Sequence, residues 1–199
     1  MITLFLYIYY YMNVNKNRKV IFLGDVGVGK TSLIHRLVHN TFDSNYSETI
    51  GVDFLTKTIF KDNQVLKVEF WDTAGQEKFK SLMPSYIRNC SVAVIIFDIS
   101  QQKTFEHVRG WVNIVKEESQ NVECIMVGNK CDITREVAAG EGKSLAEELG
   151  IGYLESSAFS GDGVDLIANR IFLGLPNKMT KKGQALSQIT KQHKSCGCL

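Results

Sequence analysis

Gly24-Asp25-Val26-Gly27-Val28-Gly29-Lys30-Thr31 fits the spacing G-x-x-x-x-G-K-[ST] at every fixed position. The chemistry that needs this spacing is capture of a polyphosphate. Gly24 and Gly29 let the backbone curl so that its N–H groups converge on phosphate oxygens. Lys30 reaches the terminal phosphates as a point charge, and the Thr31 hydroxyl is placed to ligate Mg2+. The expected nucleotide contacts of the stretch are Gly27, Val28, Gly29, Lys30, Thr31 and Ser32. Lys19–Leu23 before the loop is a buried strand by its composition. Ser32–His39 after it is a helix, with Leu33/Leu37 and Ile34/Val38 paired at i,i+4. The positive end of that helix dipole points at the same anion. A plain glycine turn between strand and helix is the competing reading, and the strand–loop–helix context disfavours it.

Two further groups follow apolar runs. Asp72-Thr73-Ala74-Gly75-Gln76 opens with a carboxylate at a strand end, placed to hold Mg2+ directly or through water. Gly75 lets a backbone N–H approach a terminal phosphate, and Gln76 is a candidate catalytic residue that orients an attacking water. Asn129-Lys130-Cys131-Asp132 supplies a base reader. A carboxylate at Asp132 accepts from guanine N1–H and from its 2-amino group, a pairing adenine does not offer, so the wrong base leaves a polar group unpaired. Asn129 ties loops together and reaches the base edge, while the Lys130 stem covers the ring.

The elements that must position these groups alternate in type. Val52–Phe60 and Val65–Asp72 read as a hairpin around Lys61–Gln64, Val92–Phe97 as a strand buried on both faces, and Cys124–Val127 and Gly152–Glu155 as two more strands. A short helix up to Asn89, a helix Thr104–Glu118 with Phe105, Val108, Val112 and Val115 on one face, a helix Glu136–Leu149 closed by Gly150, and a last helix bearing Val164, Ile167, Ala168, Ile171 and Phe172 fill the gaps. Phe42–Gly51 reads as a long loop. The expected fold class is α/β, a P-loop NTPase with a six-stranded, mostly parallel sheet, one antiparallel edge strand and helices on both faces. Each chemical motif then falls at the carboxyl ends of the strands, where such sheets bind ligands.

Composition bounds the rest. The chain has 199 residues, 44% of them hydrophobic, enough for one core. Its net charge of +2 is uneven: from Lys178 onward there are five lysines and no acidic residue, leaving the preceding residues at −3. An acidic body with a basic tail argues against nucleic acid as a partner and suits an anionic membrane surface, with a merely solvated tail as the alternative. The five cysteines follow no zinc or disulfide spacing, which suits a reducing compartment. The organisation expected is an N-terminal extension over 1–17, a nucleotide domain over 18–176 and a flexible basic tail over 177–199. The apolar, aromatic residues 1–11 read as lying upstream of a start at Met12, or else as a second membrane-contacting segment.

The motifs, in this order over residues 18–175, resemble the small GTPases of the Ras superfamily. Thr49-Ile50-Gly51-Val52-Asp53-Phe54 and Trp71-Asp72-Thr73-Ala74-Gly75-Gln76-Glu77 resemble the Rab family, and Ser81–Arg88 resembles its Golgi-associated, Rab-six-like branch. The resemblance implies GTP and GDP as ligands with Mg2+ held by Thr31, Thr49 and Asp72. It implies Phe42 beside the guanine, Tyr46 near the phosphates, Ser157 and Ala158 as backbone contacts to the base, and Phe54, Trp71 and Tyr86 as an effector surface. Phe159 stands where the family usually has lysine. The tail ends Cys196-Gly197-Cys198-Leu199, a C-a-a-X box that also resembles a double-prenylation signal, so Cys196 and Cys198 are lipidation candidates.

The function implied is a monomeric, Rab-type switch in vesicle trafficking. It would hydrolyse GTP slowly and depend on an activating protein, an exchange factor, effectors and a prenyl-binding escort. It would sit on the cytoplasmic face of Golgi or endosomal membranes, with a cytosolic pool. The alternative is a GTP-loaded binding module with strongly impaired hydrolysis, because the β-branched Val26 crowds the space that Gln76 and the water need. A different phosphate-loop enzyme, such as a nucleotide kinase or ATPase, is the third reading, which the Asn129–Asp132 motif disfavours.

Overall fold

The computed structural model describes residues 14–43, 49, 51–61, 64–74, 83–119 and 121–173. Its six strands are β1 (Val14–Leu23), β2 (Val52–Lys61), β3 (Gln64–Thr73), β4 (Val92–Asp98), β5 (Glu123–Asn129) and β6 (Gly152–Glu155). The described helices are α1 (Lys30–His39), α2 (Met83–Ile87), α3 (Gln102–Glu106), α4 (Val108–Glu118), α5 (Ala139–Leu149) and α6 (Val164–Leu173). The strands form one sheet in the order β2-β3-β1-β4-β5-β6. Only the edge pair β2–β3 is antiparallel; every other neighbour is parallel. This is the α/β architecture predicted.

Strand alternation divides the core in two. On one face Ile21, Leu23, Ala93, Ile95, Phe97 and Met126 pack against α2, α4 and α5. On the other, Val20, Phe22, Val92, Val94, Ile96 and Val127 pack against α1 and α6. β4 contributes to both and is buried along its whole length, which is why it reads as an unbroken apolar run. Each fully buried side chain of this size contributes about 1.5–3 kcal/mol.

Two helices differ from their sequence reading. The expected helix over Thr104–Glu118 is two, α3 and α4, divided at His107. His107 keeps right-handed helical dihedrals (φ −78°, ψ −11°), so the apolar face runs on unbroken and its period cannot reveal the division. Trp111, buried beside Val108, Val112 and Val115, belongs to that face as well. The helix expected from Glu136 begins at Ala139 instead. Glu136 and Val137 both donate their N–H groups to Ile99 O, at 2.9 and 3.0 Å, which pins the chain outside the helix. The Glu141 carboxylate then caps Ala138 N at 2.9 Å. β1 opens at Val14, inside the stretch expected as an extension.

Gly163 illustrates a close approach that only glycine tolerates. Its φ is +70°, and a Cβ there would lie well inside contact distance of the Glu155 carbonyl oxygen. Gly163→Ala should therefore destabilise the fold by about 2 kcal/mol or more, from positive-φ strain plus the clash. The check is a urea unfolding midpoint; an unchanged midpoint would mean the β6–α6 connection yields freely.

Candidate functional site

The phosphate loop runs from the end of β1 into α1. Gly24, Gly27 and Gly29 have φ of +144°, +79° and +93°, conformations that L side chains resist. A Cβ on Gly24 would strike the Ile96 carbonyl oxygen of β4, and one on Gly29 would strike the Asn129 side chain. Gly24 and Gly29 are thus required both by the turn and by what packs on it, whereas Gly27, with open space where a Cβ would stand, is required by the turn alone. Lys30 is only 6% exposed. Its Nζ donates to Gly24 O at 3.0 Å and Asp25 O at 2.7 Å, so the cation is arched back over its own loop. Burial lowers its pKa to about 8, against the pull of the Asp72 and Asp25 carboxylates.

At the end of β3 the buried Asp72 faces the first turn of α1. Its Oδ2 accepts from Thr31 Oγ1 at 2.6 Å and Thr49 Oγ1 at 3.0 Å, and the two hydroxyls are 2.8 Å apart. Two hydroxyl protons thus serve three short oxygen contacts, while Asp72 Oδ1 is buried without a hydrogen-bond partner among the described residues. Burial raises the Asp72 pKa, opposed by the Thr31 and Thr49 hydrogen bonds and by Lys30. A cluster of hard oxygens short of protons, with an orphaned carboxylate oxygen, fits a small hard cation such as Mg2+. Thr31, Thr49 and Asp72 are the residues that would hold it.

Asn129, 1% exposed, ties three loops together. Its Nδ2 donates to Val28 O at 2.8 Å, and its Oδ1 accepts from Ala158 N at 3.2 Å and Ser156 Oγ at 3.3 Å. Beside it opens a cleft of about 360 Å³, lined among others by Ser32, Phe42, Lys130, Asp132, Ala158 and Phe159. Lys130 adopts φ +67° and its Nζ pairs with the buried Asp98 at 2.6 Å, which stretches its stem along the cleft. Asp132 is exposed at the mouth. The Phe42 and Phe159 rings meet edge-on, with centroids 5.3 Å apart. Ser157 is fully buried and donates its N–H to Asp162 O at 2.9 Å.

The structure therefore gathers Gly27, Val28, Gly29, Lys30, Thr31, Ser32, Thr49 and Asp72 into one end of the site, and Phe42, Asn129, Lys130, Asp132, Ser157 and Ala158 into the other. Tyr46, Gly75, Gln76, Cys196 and Cys198 lie outside the described residues. Phe54, Trp71 and Tyr86 come together elsewhere: Phe54 and Trp71 stack at 6.1 Å, and Trp71 meets Tyr86 at 6.1 Å.

One contributor escaped the sequence reading. Arg36 of α1 donates to Ala158 O at 2.9 Å and Phe159 O at 2.6 Å, fixing the base-side loop from below. Nothing in its local pattern marks it, since it is a polar residue on an amphipathic helix whose partners are 122 and 123 residues away.

A family model described as Ras family matches residues 19–176, well over half of the chain. The match contains every group of the cleft.

Asp132 stands exposed at the mouth of the cleft, where its carboxylate would face the N–H groups of a bound guanine. Replacing that carboxylate with an amide would remove one acceptor. Asp132→Asn should weaken GDP binding by at least roughly a hundredfold. Xanthosine diphosphate, whose C2 carbonyl accepts from the new amide, should regain part of that loss. Competition against a fluorescent nucleotide measures both. Equal GDP affinity in the two proteins would remove Asp132 from base recognition.

Proposed function

Because the chain belongs to the Ras family of small GTPases, we propose that it is a Rab-type switch that regulates vesicle trafficking from the cytoplasmic face of Golgi or endosomal membranes. Members of this family bind GTP and GDP, with Mg2+, and hydrolyse GTP. The Rab assignment is supported by the sequence Thr49–Phe54 and by one structural observation: the aromatic surface of Phe54, Trp71 and Tyr86 adjoins the candidate metal-binding residues through the backbone.

β2 and β3 place Asp53 opposite Asp72 and Phe54 opposite Trp71. Asp72 holds the hydroxyls of Thr31 and Thr49, while Trp71, next in the same strand, turns to the other face, where Phe54 lies 61% exposed. A stacked aromatic patch of this kind suits a protein partner, since aromatic residues dominate binding hot spots. Lys19 Nζ sits 3.9 Å from the Trp71 ring centroid, which steadies the indole by cation–π attraction. Movement of Thr49 away from Thr31 would tug β2 through Gly51, whose carbonyl accepts from Ala74 N at 2.9 Å. The same backbone would carry that shift to Phe54.

Within the reaction, Lys30 neutralises charge at the terminal phosphates, and the loop N–H groups orient them. Thr31, Thr49 and Asp72 would hold a metal ion, which when bound would supply charge stabilisation on the phosphate oxygens. Asp132 and Asn129 select guanine, and the Phe42 and Phe159 rings cover it. Gln76 is assigned the positioning of the attacking water. The intrinsic rate is slow, and an activating protein accelerates it. The domain expected over residues 18–176 takes in the start of β1 at Val14 as well, and the N-terminal extension is what precedes that strand. The basic tail over 177–199 and lipid on Cys196 and Cys198 anchor the chain. The chain works as a monomer with exchange factor, effectors and a prenyl-binding escort as partners.

Val26 supports the second reading, a GTP-loaded module. It is 41% exposed on the outer limb of the loop, outside the core, so its branched side chain is available to crowd an attacking water. Single-turnover hydrolysis by Val26→Gly should be about tenfold faster than by the native chain, with or without an activating protein. Equal rates would remove Val26 as an obstacle.

The trafficking role is tested with Thr31→Asn, which deletes the hydroxyl shared by Asp72 and Thr49 and so disfavours the metal-bound triphosphate form. Its expression should slow delivery of a secretory reporter to the cell surface. Normal delivery, both with this variant and after depletion of the native chain, would reject the assignment.

A further inference from the structure

Asp25 occupies a free position of the phosphate-loop pattern, yet it is the most firmly held residue of the loop's outer limb. Its two carboxylate oxygens each have a partner from the helical layer beyond the sheet. Oδ2 lies 2.6 Å from His107 Nδ1, and Oδ1 accepts from Trp111 Nε1 at 2.9 Å. His107 stands at the division between α3 and α4, and Trp111 lies one turn on, so both rings present to the same side. Trp111 is 4% exposed and locked in the core, whereas the His107 ring is half-exposed. At the same residue, the main-chain oxygen accepts from Lys30 Nζ at 2.7 Å. Asp25 thus joins α4, by its side chain, to the phosphate-binding lysine, by its backbone.

The rest of the loop is held differently. Gly24 rests against the Ile96 carbonyl, and Val28 O is held by Asn129. Between them, among the described residues, the side-chain ties of residues 25–27 are those of Asp25. Hydrogen bonds to an ionised carboxylate are the strong kind, and an indole N–H fixed in a packed helix gives one of them little freedom. We propose that Asp25, His107 and Trp111 form a clamp that sets the shape of the phosphate loop's outer limb, and that His107 and Trp111 are positioning residues controlling how fast bound nucleotide leaves. The proposal rests on the reading of this cleft as a guanine-nucleotide site. It explains why a carboxylate stands at a position where the phosphate chemistry asks for none. It also gives the α3–α4 junction, far from the base in sequence, a direct route to the phosphates.

The test is dissociation of a fluorescent GDP from the full chain at saturating Mg2+. Asp25→Asn, close in size and shape, and Trp111→Phe, which keeps an aromatic ring and loses the N–H, should release GDP about tenfold faster. His107→Ala should release it several-fold faster, and His107→Gln, whose amide can donate to the same carboxylate, should return toward the native rate. The preference for GDP over ADP should be unchanged in all four, because Asp132 is untouched. A spectroscopic signature separates positioning from packing. The chain has two tryptophans, and the Trp111 indole N–H resonance should move in Asp25→Asn while that of Trp71 stays. Release within twofold of native by folded Asp25→Asn and His107→Ala would overturn the clamp. A native chain that retains no guanine nucleotide would overturn the site reading itself, which the retention measured at the start of the assay distinguishes.

Discussion

The buried side-chain amide of Asn129 is the contact on which the site depends. Val28, Asn129 and Ala158 lie at or beyond the carboxyl ends of β1, β5 and β6, which parallel pairing through β4 brings to one side of the sheet. One carboxamide then joins all three, donating to the first and accepting from the third. A buried amide must have its partners or pay the desolvation of each orphaned group, so the three loops are locked in one arrangement or the amide is left unsatisfied. Gly29 follows from the same contact, since any Cβ there would collide with the Asn129 side chain. The loop-glycine end and the Phe42–Phe159 end of the cleft are therefore tied to each other through one side chain.

Charge in that cleft is arranged against stability. Lys30 is buried with its pKa lowered to about 8 from 10.5, and the Asp72 pKa is raised, both chiefly by desolvation. For Lys30 the consequence has a definite sign. Between pH 8 and 10.5 the unfolded chain binds more protons at this group than the folded chain, so folding of the empty protein gains from rising pH there. At neutral pH the charged lysine is a cost to the fold. A polyphosphate bound at Lys30 would offset that cost and a divalent cation at Asp72 would offset the other, so ligand affinity and apparent stability would come from the same two groups.

Sequence patterns gave access to the parts of this design that are local. The loop glycines, a carboxylate at a strand end and a candidate guanine-reading Asp are each defined within a few residues, and β4 announces its burial by being apolar from Val92 to Phe97, ahead of Asp98. The strand count and the one antiparallel pair were legible for the same reason. What escaped is held by contacts between distant side chains. The division of the α3–α4 segment leaves the apolar face in register, so it has no periodic signature. The delayed start of α5 comes from Ile99, whose carbonyl takes two N–H groups 37 and 38 residues on. Arg36 and the partners of Asp25 are ordinary helix residues until the fold brings their loops within reach.

Strand geometry also bears on how such a site reports its state. Successive residues of β3 point to opposite faces, so Asp72 and Trp71 share a peptide bond while facing different surroundings. A ligand gripped by Asp72 is thus invisible to anything touching Trp71 unless the backbone itself moves. The hairpin partner offers a route for such a movement: Phe54 lies opposite Trp71, and Thr49, only five residues earlier, reaches back to Asp72. The chain from Thr49 to Phe54 therefore spans from the phosphate side of β3 to its aromatic side. Of the two ends, Phe54 lies on an edge strand whose outer side carries no neighbouring strand among the described residues. An interior strand, bound by ladders on both sides, would resist the same displacement. An antiparallel hairpin at the sheet edge would let a contact made at Thr49 be read at Phe54 without disturbing the core beneath.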